Sequence, residues 1–183
     1  VDGRGQSIWD VFARRQGKIK DAAKPSDACG FYYRYKDDLL LAKALGFKAF
    51  RFSFSWSRIL PDGTGKVNKQ GIAFYHKLIE ECLQLGMVPF VTLYHWDLPY
   101  ALEKEGGWAN HNIVKWFAAY AKICAEEYGP IVKNWLIMNE PAGFTSLGYM
   151  LGKHAPGKTG LNNFLPAIHH AIMATAEGGR MVR

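Results

Sequence analysis

The sequence predicts an α/β fold with a parallel β-sheet, and two observations lead to this prediction. Compact apolar runs of strand length alternate along the chain with longer segments of helical periodicity. The later apolar runs each stop at a group of polar and aromatic residues. Ligands and chemistry gather at the carboxyl ends of parallel strands, which is where such groups are expected. Strands that alternate with helices form parallel sheets.

The first predicted elements are a helix over residues 32–45, a strand over 48–55 and a helix over 70–85. Gly46 and Gly86 end the two helices, since glycine readily adopts the conformation found just past a helix. One face of the first helix carries Leu40, Leu41, Ala44 and Leu45. The second helix has apolar residues at helical spacing: Ile72, Tyr75, Leu78, Ile79, Cys82 and Leu83.

Two more strands are predicted over residues 87–94 and 131–138, with a helix over 112–128 between them. The strand over 87–94 is apolar throughout, as in a parallel strand covered on both faces. The apolar face of this helix, which is expected to point towards the core, consists of Ile113, Trp116, Phe117, Tyr120 and Cys124. A glycine-rich, irregular stretch over 143–160 leads to a last helix over 166–176. The crossover rule predicts adjacent parallel strands in chain order, with helices on one side only.

The strand over residues 48–55 alternates strictly between two kinds of side chain. One face carries aromatic rings and the other an arginine and two serines: Phe50, Phe52 and Phe54 against Arg51, Ser53 and Ser55. The aromatic face suits packing beneath helices. The polar face suits the upper lumen of a (β/α)8 TIM barrel, whose active site lies at the strand carboxyl ends. The alternative is an edge strand with one solvent-exposed face.

The composition is that of a globular domain, with 183 residues, 49% hydrophobic side chains and a net charge of +7. This length supports one domain with a sizeable core. The basic residues are scattered, which indicates a solvated basic surface and no nucleic-acid partner. No apolar run approaches the roughly 20 residues that span a bilayer, so no membrane partner is expected. Val1 is not a normal translation start, and we expect a missing segment upstream.

The cysteines and a pair of histidines give no metal-binding pattern. Cys82 and Cys124 fall on apolar helix faces, where a free thiol behaves as a small hydrophobe. Free thiols suggest a reducing compartment, so we expect a cytoplasmic protein. His169 and His170 are adjacent in a predicted helix and point some 100° apart, which favours structural roles.

Two short segments carry the chemistry. Residues 94–99 read Tyr-His-Trp-Asp-Leu-Pro, and residues 139–141 read Asn-Glu-Pro. Each segment follows a predicted strand. The first supplies an imidazole and an indole, and the second supplies an amide next to a carboxyl. Sugars need that mixture, because amides and imidazoles bind hydroxyls, flat aromatics cover ring faces and a carboxyl serves glycosidic chemistry.

Together with Phe-Arg-Phe-Ser-Phe-Ser-Trp-Ser-Arg-Ile at residues 50–59, these segments resemble glycoside hydrolase family 1, the β-glucosidase group. Further matches occur at residues 5–10, 63–68, 106–108, 148–149 and 154–157. The resemblance covers essentially all 183 residues in the family's order. Two positions depart from the pattern: Ile137 stands where the family commonly has Thr, and Gly30 begins a segment that often reads Asp-His-Tyr.

The resemblance implies roles for five residues. Glu140 matches the general acid/base of a retaining β-glycosidase, and it must start protonated. Asn139 matches the ligand of the sugar 2-hydroxyl, and His95 a ligand near the 3-hydroxyl, with Trp96 as a wall beside it. Arg51 matches the arginine that orients the nucleophile. The implied substrate is a β-glucoside or a related oligosaccharide or aryl glycoside, and no metal or cofactor is implied.

The chain is short for a barrel of this family, which needs eight strands and roughly 250 residues. It supplies strands two to four by resemblance, so residues 1–183 are expected to be the N-terminal part of a single barrel domain. The second catalytic carboxylate should follow in a Glu-Asn-Gly context, which this chain lacks. The remaining barrel strands are therefore an expected partner, and the chain alone is expected to be inactive.

Other carboxylates and aromatics receive structural interpretations. Asp97 is expected to form a turn ahead of Leu98, and Glu103 to lie on a helix surface. The tryptophans outside residues 94–99 are expected in the core rather than against sugar: Trp108, Trp116 and Trp135. Two other functions stay open. One is a catalytically incomplete carbohydrate-binding or scaffold fragment, and a distant one is an open doubly wound sheet that binds phosphate.

Overall fold

The computed structural model describes residues 1–22 and 28–183. Its strands are β1 (Ala49–Ser53), β2 (Val88–Tyr94) and β3 (Asn134–Met138). Its α-helices are α1 (Ile8–Phe12), α2 (Phe31–Ala44), α3 (Trp56–Ile59), α4 (Lys69–Gln84), α5 (Tyr100–Lys104), α6 (Ile113–Tyr128), α7 (Pro141–Thr145) and α8 (Leu161–Met181). Shorter helical turns are Lys20–Ala22, Gly107–Ala109 and the π-helical Ser146–Met150.

The three strands form one parallel sheet in the order β1-β2-β3. Arg51 lies opposite Phe90, and Phe90 lies opposite Asn134. The prediction of three adjacent parallel strands in chain order is therefore confirmed. Because all three run in the same direction, their carboxyl ends meet at one edge of the sheet.

The aromatic face of β1 packs beneath the helices, as the alternation predicts. The Phe50 ring stacks on Phe31 of α2 with centroids 5.9 Å apart. The Phe54 ring lies 4.4 Å from Tyr75 of α4 and 4.7 Å from Tyr128 of α6. Dispersion and burial of these rings hold the helices on this face of the sheet. Arg51, on the other face, is exposed.

The last helix is longer than its predicted extent over residues 166–176. It begins at Leu161, so Pro166 lies inside it. Proline is common in the first turn, where its missing N–H breaks no bond, whereas Pro166 stands in the second turn of this helix. Buried alanines of α8 meet α6 and stabilise the longer helix: Ala167, Ala171 and Ala174.

In two helices, α2 and α4, the apolar face predicted from the sequence differs from the face that is buried in the structure. Leu83 is 45% exposed, because the buried face of α4 centres on Leu78, Ile79 and Cys82. In α2 only Leu39 is buried. The predicted face of that helix is exposed at Leu40, Leu41, Ala44 and Leu45. Helix α2 directly precedes β1, which is an edge strand of the described sheet.

The stretch over residues 143–160 is more regular than predicted. Pro141 begins α7, and a π-helical turn follows directly over Ser146–Met150. Proline at the first helical position has the required φ and lacks only an N–H that would have no partner there. In the described ranges, no helix combines the length and apolar character that crossing a bilayer needs.

Candidate functional site

The side chain of Arg51 connects the three strands near their carboxyl ends. Its Nε donates a hydrogen bond to Thr92 Oγ1 at 3.0 Å, and its Nη2 donates to Asn139 Oδ1 at 2.7 Å. Asn139 follows β3 directly, and its N–H donates to the Tyr94 carbonyl at 2.9 Å. A planar guanidinium can serve two acceptors in fixed directions, which fixes the Asn139 amide relative to β1.

His95 joins the same group from the end of β2. Its Nδ1 lies 3.2 Å from Ser53 Oγ on β1. Burial lowers the pKa of His95 below its usual 6.5, the Arg51 guanidinium lowers it further, and the Glu140 carboxylate acts in the opposite direction. The imidazole is therefore neutral at neutral pH, with one ring nitrogen to donate and one to accept.

Trp96 and Glu140 meet at this end of the sheet, each in a backbone conformation that is rare for its type. Trp96 has φ 79° and Glu140 has φ 43°. The Trp96 indole Nε1 donates to the Asn139 carbonyl at 2.8 Å. Positive φ values outside glycine store strain of about 1–3 kcal/mol each and cluster at functional sites.

Gly143, in the first turn of α7, separates these two side chains. A methyl group added there would lie 3.3 Å from Glu140 Oε2 and 3.3 Å from Trp96 Cζ2. The absence of a side chain at Gly143 thus lets the carboxyl and the indole approach from two sides. Sequence reasoning did not single out this glycine, although a glycine three residues after Glu140 in a helix is a usable signal.

The structure brings together all five sequence-predicted residues, and the site is open to solvent. Arg51, His95 and Glu140 are exposed, whereas Trp96 and Asn139 are half-buried. Thr92 was missed by sequence reasoning; it is buried in β2 and accepts from Arg51. Within residues 1–22 and 28–183, no three His, Cys, Asp or Glu residues are grouped as a metal site would require.

The prediction that Glu103 lies on a helix surface is wrong. Its side chain is 6% exposed, accepts a hydrogen bond from the Tyr149 hydroxyl at 2.6 Å and pairs with Lys158 Nζ at 2.5 Å. Tyr149 also accepts from the Trp108 N–H at 3.2 Å. Burial of this carboxylate is possible because a cation and a hydroxyl satisfy it. Glu103 therefore connects α5 to the segment after α7.

Asp97 lies in the irregular segment after β2, as a turn former would, but its carboxyl is turned inward. Its Oδ1 is buried and has no hydrogen-bond partner among the described residues. Burial raises the pKa of Asp97 to about 7, with Ser55 and Arg4 acting in the opposite direction. The carboxyl is thus a buried, readily protonated group, whereas Glu140 is exposed.

The remaining structural interpretations agree with the structure. Trp108 is fully buried and donates to the Tyr94 hydroxyl at 3.0 Å. Trp116 and Trp135 are half-buried and pack against the core. His170 Nδ1 lies 2.9 Å from the Trp108 carbonyl, consistent with a structural role.

Ile137, one of the departures from the family pattern, points away from the site. A Cβ added at Gly178 of α8 would lie 2.8 Å from Ile137 Cγ2. The side chain therefore fills the contact between β3 and α8, where an apolar residue packs well. This departure from the family pattern therefore lies on the helix side of β3 and not among the site residues.

A parallel sheet that brings an arginine, an imidazole, an amide and a carboxyl to its carboxyl edge is typical of barrel enzymes acting on sugars. The sequence pattern of glycosyl hydrolase family 1 matches residues 1–183, and the chain belongs to that family. Beta-glucosidase A of Thermotoga maritima is 44% identical over 183 residues, covering 100% of this chain and 41% of that protein. Beta-glucosidase 1 of Oryza sativa subsp. japonica is 45% identical over 190 residues, covering 100% and 37%.

Solved structures of related proteins show the fold to which this sheet is similar. The T. maritima family 1 β-glucosidase in complex with isofagomine lactam matches with a TM-score of 0.98 at 44% identity, covering 100% of this chain and 42% of that one. These relatives are TIM barrels, so the barrel prediction is confirmed, with this three-stranded sheet as a part of one. The chain spans less than half the length of the relatives it matches.

Proposed function

We propose that this chain is the N-terminal part of a retaining β-glycosidase of the β-glucosidase type, within a single (β/α)8 domain. The observation that carries the proposal is the convergence of Arg51, His95, Asn139 and Glu140 at one end of the sheet. Family membership over residues 1–183 supports it. The proposed substrates are β-glucosides, including related oligosaccharides and aryl glycosides.

Glu140 is the proposed general acid/base. In the first step it donates its proton to the glycosidic oxygen while the bond from that oxygen to C1 breaks and a second carboxylate bonds to C1. In the second step the Glu140 carboxylate takes a proton from water, whose oxygen bonds to C1 and displaces that second carboxylate. The nucleophile belongs to a later strand of the whole protein, about 5 Å from Glu140.

The other residues bind and orient in this proposal. Asn139, held by Arg51 at 2.7 Å, presents its amide N–H groups to the sugar 2-hydroxyl. Neutral His95 binds near the 3-hydroxyl, since it can donate and accept. Trp96 closes one side of the sugar site. Arg51 faces the lumen, where its cation would hold the nucleophile ionised and oriented.

The test of Glu140 compares two leaving groups in the whole protein. Glu140→Gln removes the proton, so hydrolysis of phenyl β-glucoside is expected to slow by about 10²–10⁴-fold. Glycosylation by 2,4-dinitrophenyl β-glucoside needs little protonation, so that step is expected to change far less. Glu126→Gln is the control, because Glu126 is an exposed carboxylate of α6 whose ion pair, within the described residues, is with Lys122. Equal losses of the glycosylation rate for the two substrates in Glu140→Gln would exclude the acid role.

A second candidate function applies to these 183 residues alone, as a carbohydrate-binding fragment without catalysis. It is favoured because the two carboxylates that follow β2 are otherwise engaged, since Glu103 is paired with Lys158 and Asp97 is buried. The purified chain is expected not to hydrolyse an aryl β-glucoside until the complementary C-terminal segment is added. Turnover by the chain alone, at the rate of the reassembled protein, would show that both carboxylates lie within it.

A further inference from the structure

His154 lies between two indole rings, one of which belongs to Trp96 of the candidate site. Its ring centroid is 5.4 Å from that of Trp9 and 5.6 Å from that of Trp96. Its Nδ1 is buried and has no hydrogen-bond partner among the described residues. Ring packing therefore holds this imidazole in place, because a buried nitrogen without a partner does not stabilise its position.

The loop that carries His154, residues 151–160, is fixed on several sides. Leu151 and Thr159 form an antiparallel bridge across its base. The His154 N–H donates to the Leu147 carbonyl at 3.1 Å. Lys158 reaches from the loop to the buried Glu103 at 2.5 Å. A ring on a loop with these attachments is a firm support for the indole that it contacts.

Trp96 needs such a support, because its φ of 79° is unfavourable for a bulky residue. Its indole Nε1 donates to the Asn139 carbonyl at 2.8 Å, the carbonyl of the peptide that joins Asn139 to Glu140. Glu140 itself has φ 43°. The indole thus restrains the backbone from which the Glu140 carboxyl extends, and His154 packs against that indole.

We propose that His154 is a positioning residue for Glu140: its ring, set between Trp9 and Trp96, fixes the Trp96 indole and through it the Asn139–Glu140 peptide. The inference rests on the proposed acid/base role of Glu140. His154 does not touch the sugar or the reacting atoms in this proposal. Its effect comes through geometry, since small displacements of a catalytic group lower rates steeply.

The kinetic test uses the whole protein with phenyl and 2,4-dinitrophenyl β-glucosides. His154→Ala is expected to lower kcat/KM on the order of tenfold for the phenyl substrate and to leave the dinitrophenyl substrate nearly unchanged. His154→Phe keeps a ring between the indoles and is expected to retain most activity. His76→Ala is the matched control, since the half-exposed His76 also packs on an aromatic ring, that of Tyr128 at 4.7 Å. Equal losses with both substrates in His154→Ala, or an equal loss in His154→Phe, would overturn the proposal.

A second measurement does not depend on activity. Hydrogen exchange of the Trp96 indole N–H, assigned by its disappearance in Trp96→Phe, reports the bond to the Asn139 carbonyl. His154→Ala is expected to accelerate this exchange on the order of tenfold, and His154→Phe and His76→Ala are expected not to. An unchanged exchange rate in His154→Ala would refute the proposal that His154 holds the Trp96 indole in place. Faster exchange in a protein that cleaves neither glucoside would instead refute the proposed function and leave the packing role standing.

Discussion

Replacing Asp97 with asparagine should remove a pH dependence from the stability of the fold. Burial raises the pKa of this carboxyl from its usual 3.8 to about 7, and its Oδ1 has no partner among the described residues. An asparagine side chain has nearly the shape of a protonated carboxyl and cannot ionise. The substitution therefore leaves the packing beside Ser55 and Arg4 in place and deletes only the titration.

The sign follows from the direction of the pKa change. A carboxyl whose pKa is higher in the folded state binds more protons there than in the unfolded chain. Its contribution is complete below about pH 4 and is lost as pH rises through about 7. A pKa raised from 3.8 to about 7 corresponds to roughly 4 kcal/mol for full burial. Because the Asp97 residue as a whole is only half-buried, we expect about 2 kcal/mol.

Urea unfolding of the whole protein at pH 5 and pH 8.5 measures the effect. At pH 5 the unfolded carboxyl is already mostly ionised, so part of the 2 kcal/mol is lost there, and Asp97→Asn is expected to gain about 1 kcal/mol relative to the unsubstituted protein between the two pH values. Asp37→Asn, at an exposed position on α2, is expected to show no such gain. The Asp97 side-chain ¹³C shift gives the pKa directly. A stability difference that is the same at both pH values, with a carboxyl titrating near 4, would refute the reasoning.

Two further substitutions test the packing around the site. Gly143→Ala places a methyl group 3.3 Å from Glu140 Oε2 and from Trp96 Cζ2. The kcat of the whole protein is therefore expected to fall on the order of tenfold, with the unfolding midpoint unchanged. A midpoint that falls while kcat is unchanged would contradict this prediction. Glu103→Gln leaves Lys158 without its buried counter-charge and is expected to lower the free energy of unfolding by about 2 kcal/mol. Glu105→Gln, at an exposed position, is expected to leave the free energy of unfolding unchanged. Equal losses in the two variants would show that the pair of Glu103 and Lys158 does not stabilise the fold.

The sheet and the residues at its edge were predictable because they depend on local patterns. The period of two over residues 48–55 assigns Phe54 to the helix side and Arg51 to the lumen side without knowledge of any other element. Parallel strand direction then brings His95 and Glu140 to the same edge as Arg51. These predictions need only the order of elements along the chain, which the sequence contains.

The partners of Glu103 and the conformation of Trp96 were not predictable in the same way. Tyr149, which hydrogen-bonds Glu103, lies 46 residues away along the chain, and nothing near Glu103 marks it as buried. The positive φ of Trp96 is disfavoured locally, and contacts with Asn139 and His154 from distant segments hold it. Leu83 was misplaced for a related reason, since helical spacing defines an apolar face only to within about one residue.

The exposed Arg51 bears on what the rest of the protein must supply. Its acceptors in the described residues, Thr92 and Asn139, are neutral, and no described carboxylate forms an ion pair with it. Water solvates the cation while this face of the sheet is open. Closing a barrel over it would remove that water, and an unpaired buried cation is strongly destabilising. A carboxylate at hydrogen-bonding distance would restore the balance, and a nucleophile opposite Glu140 satisfies that requirement. The electrostatics of Arg51 and the acid/base role proposed for Glu140 thus call for the same second carboxylate.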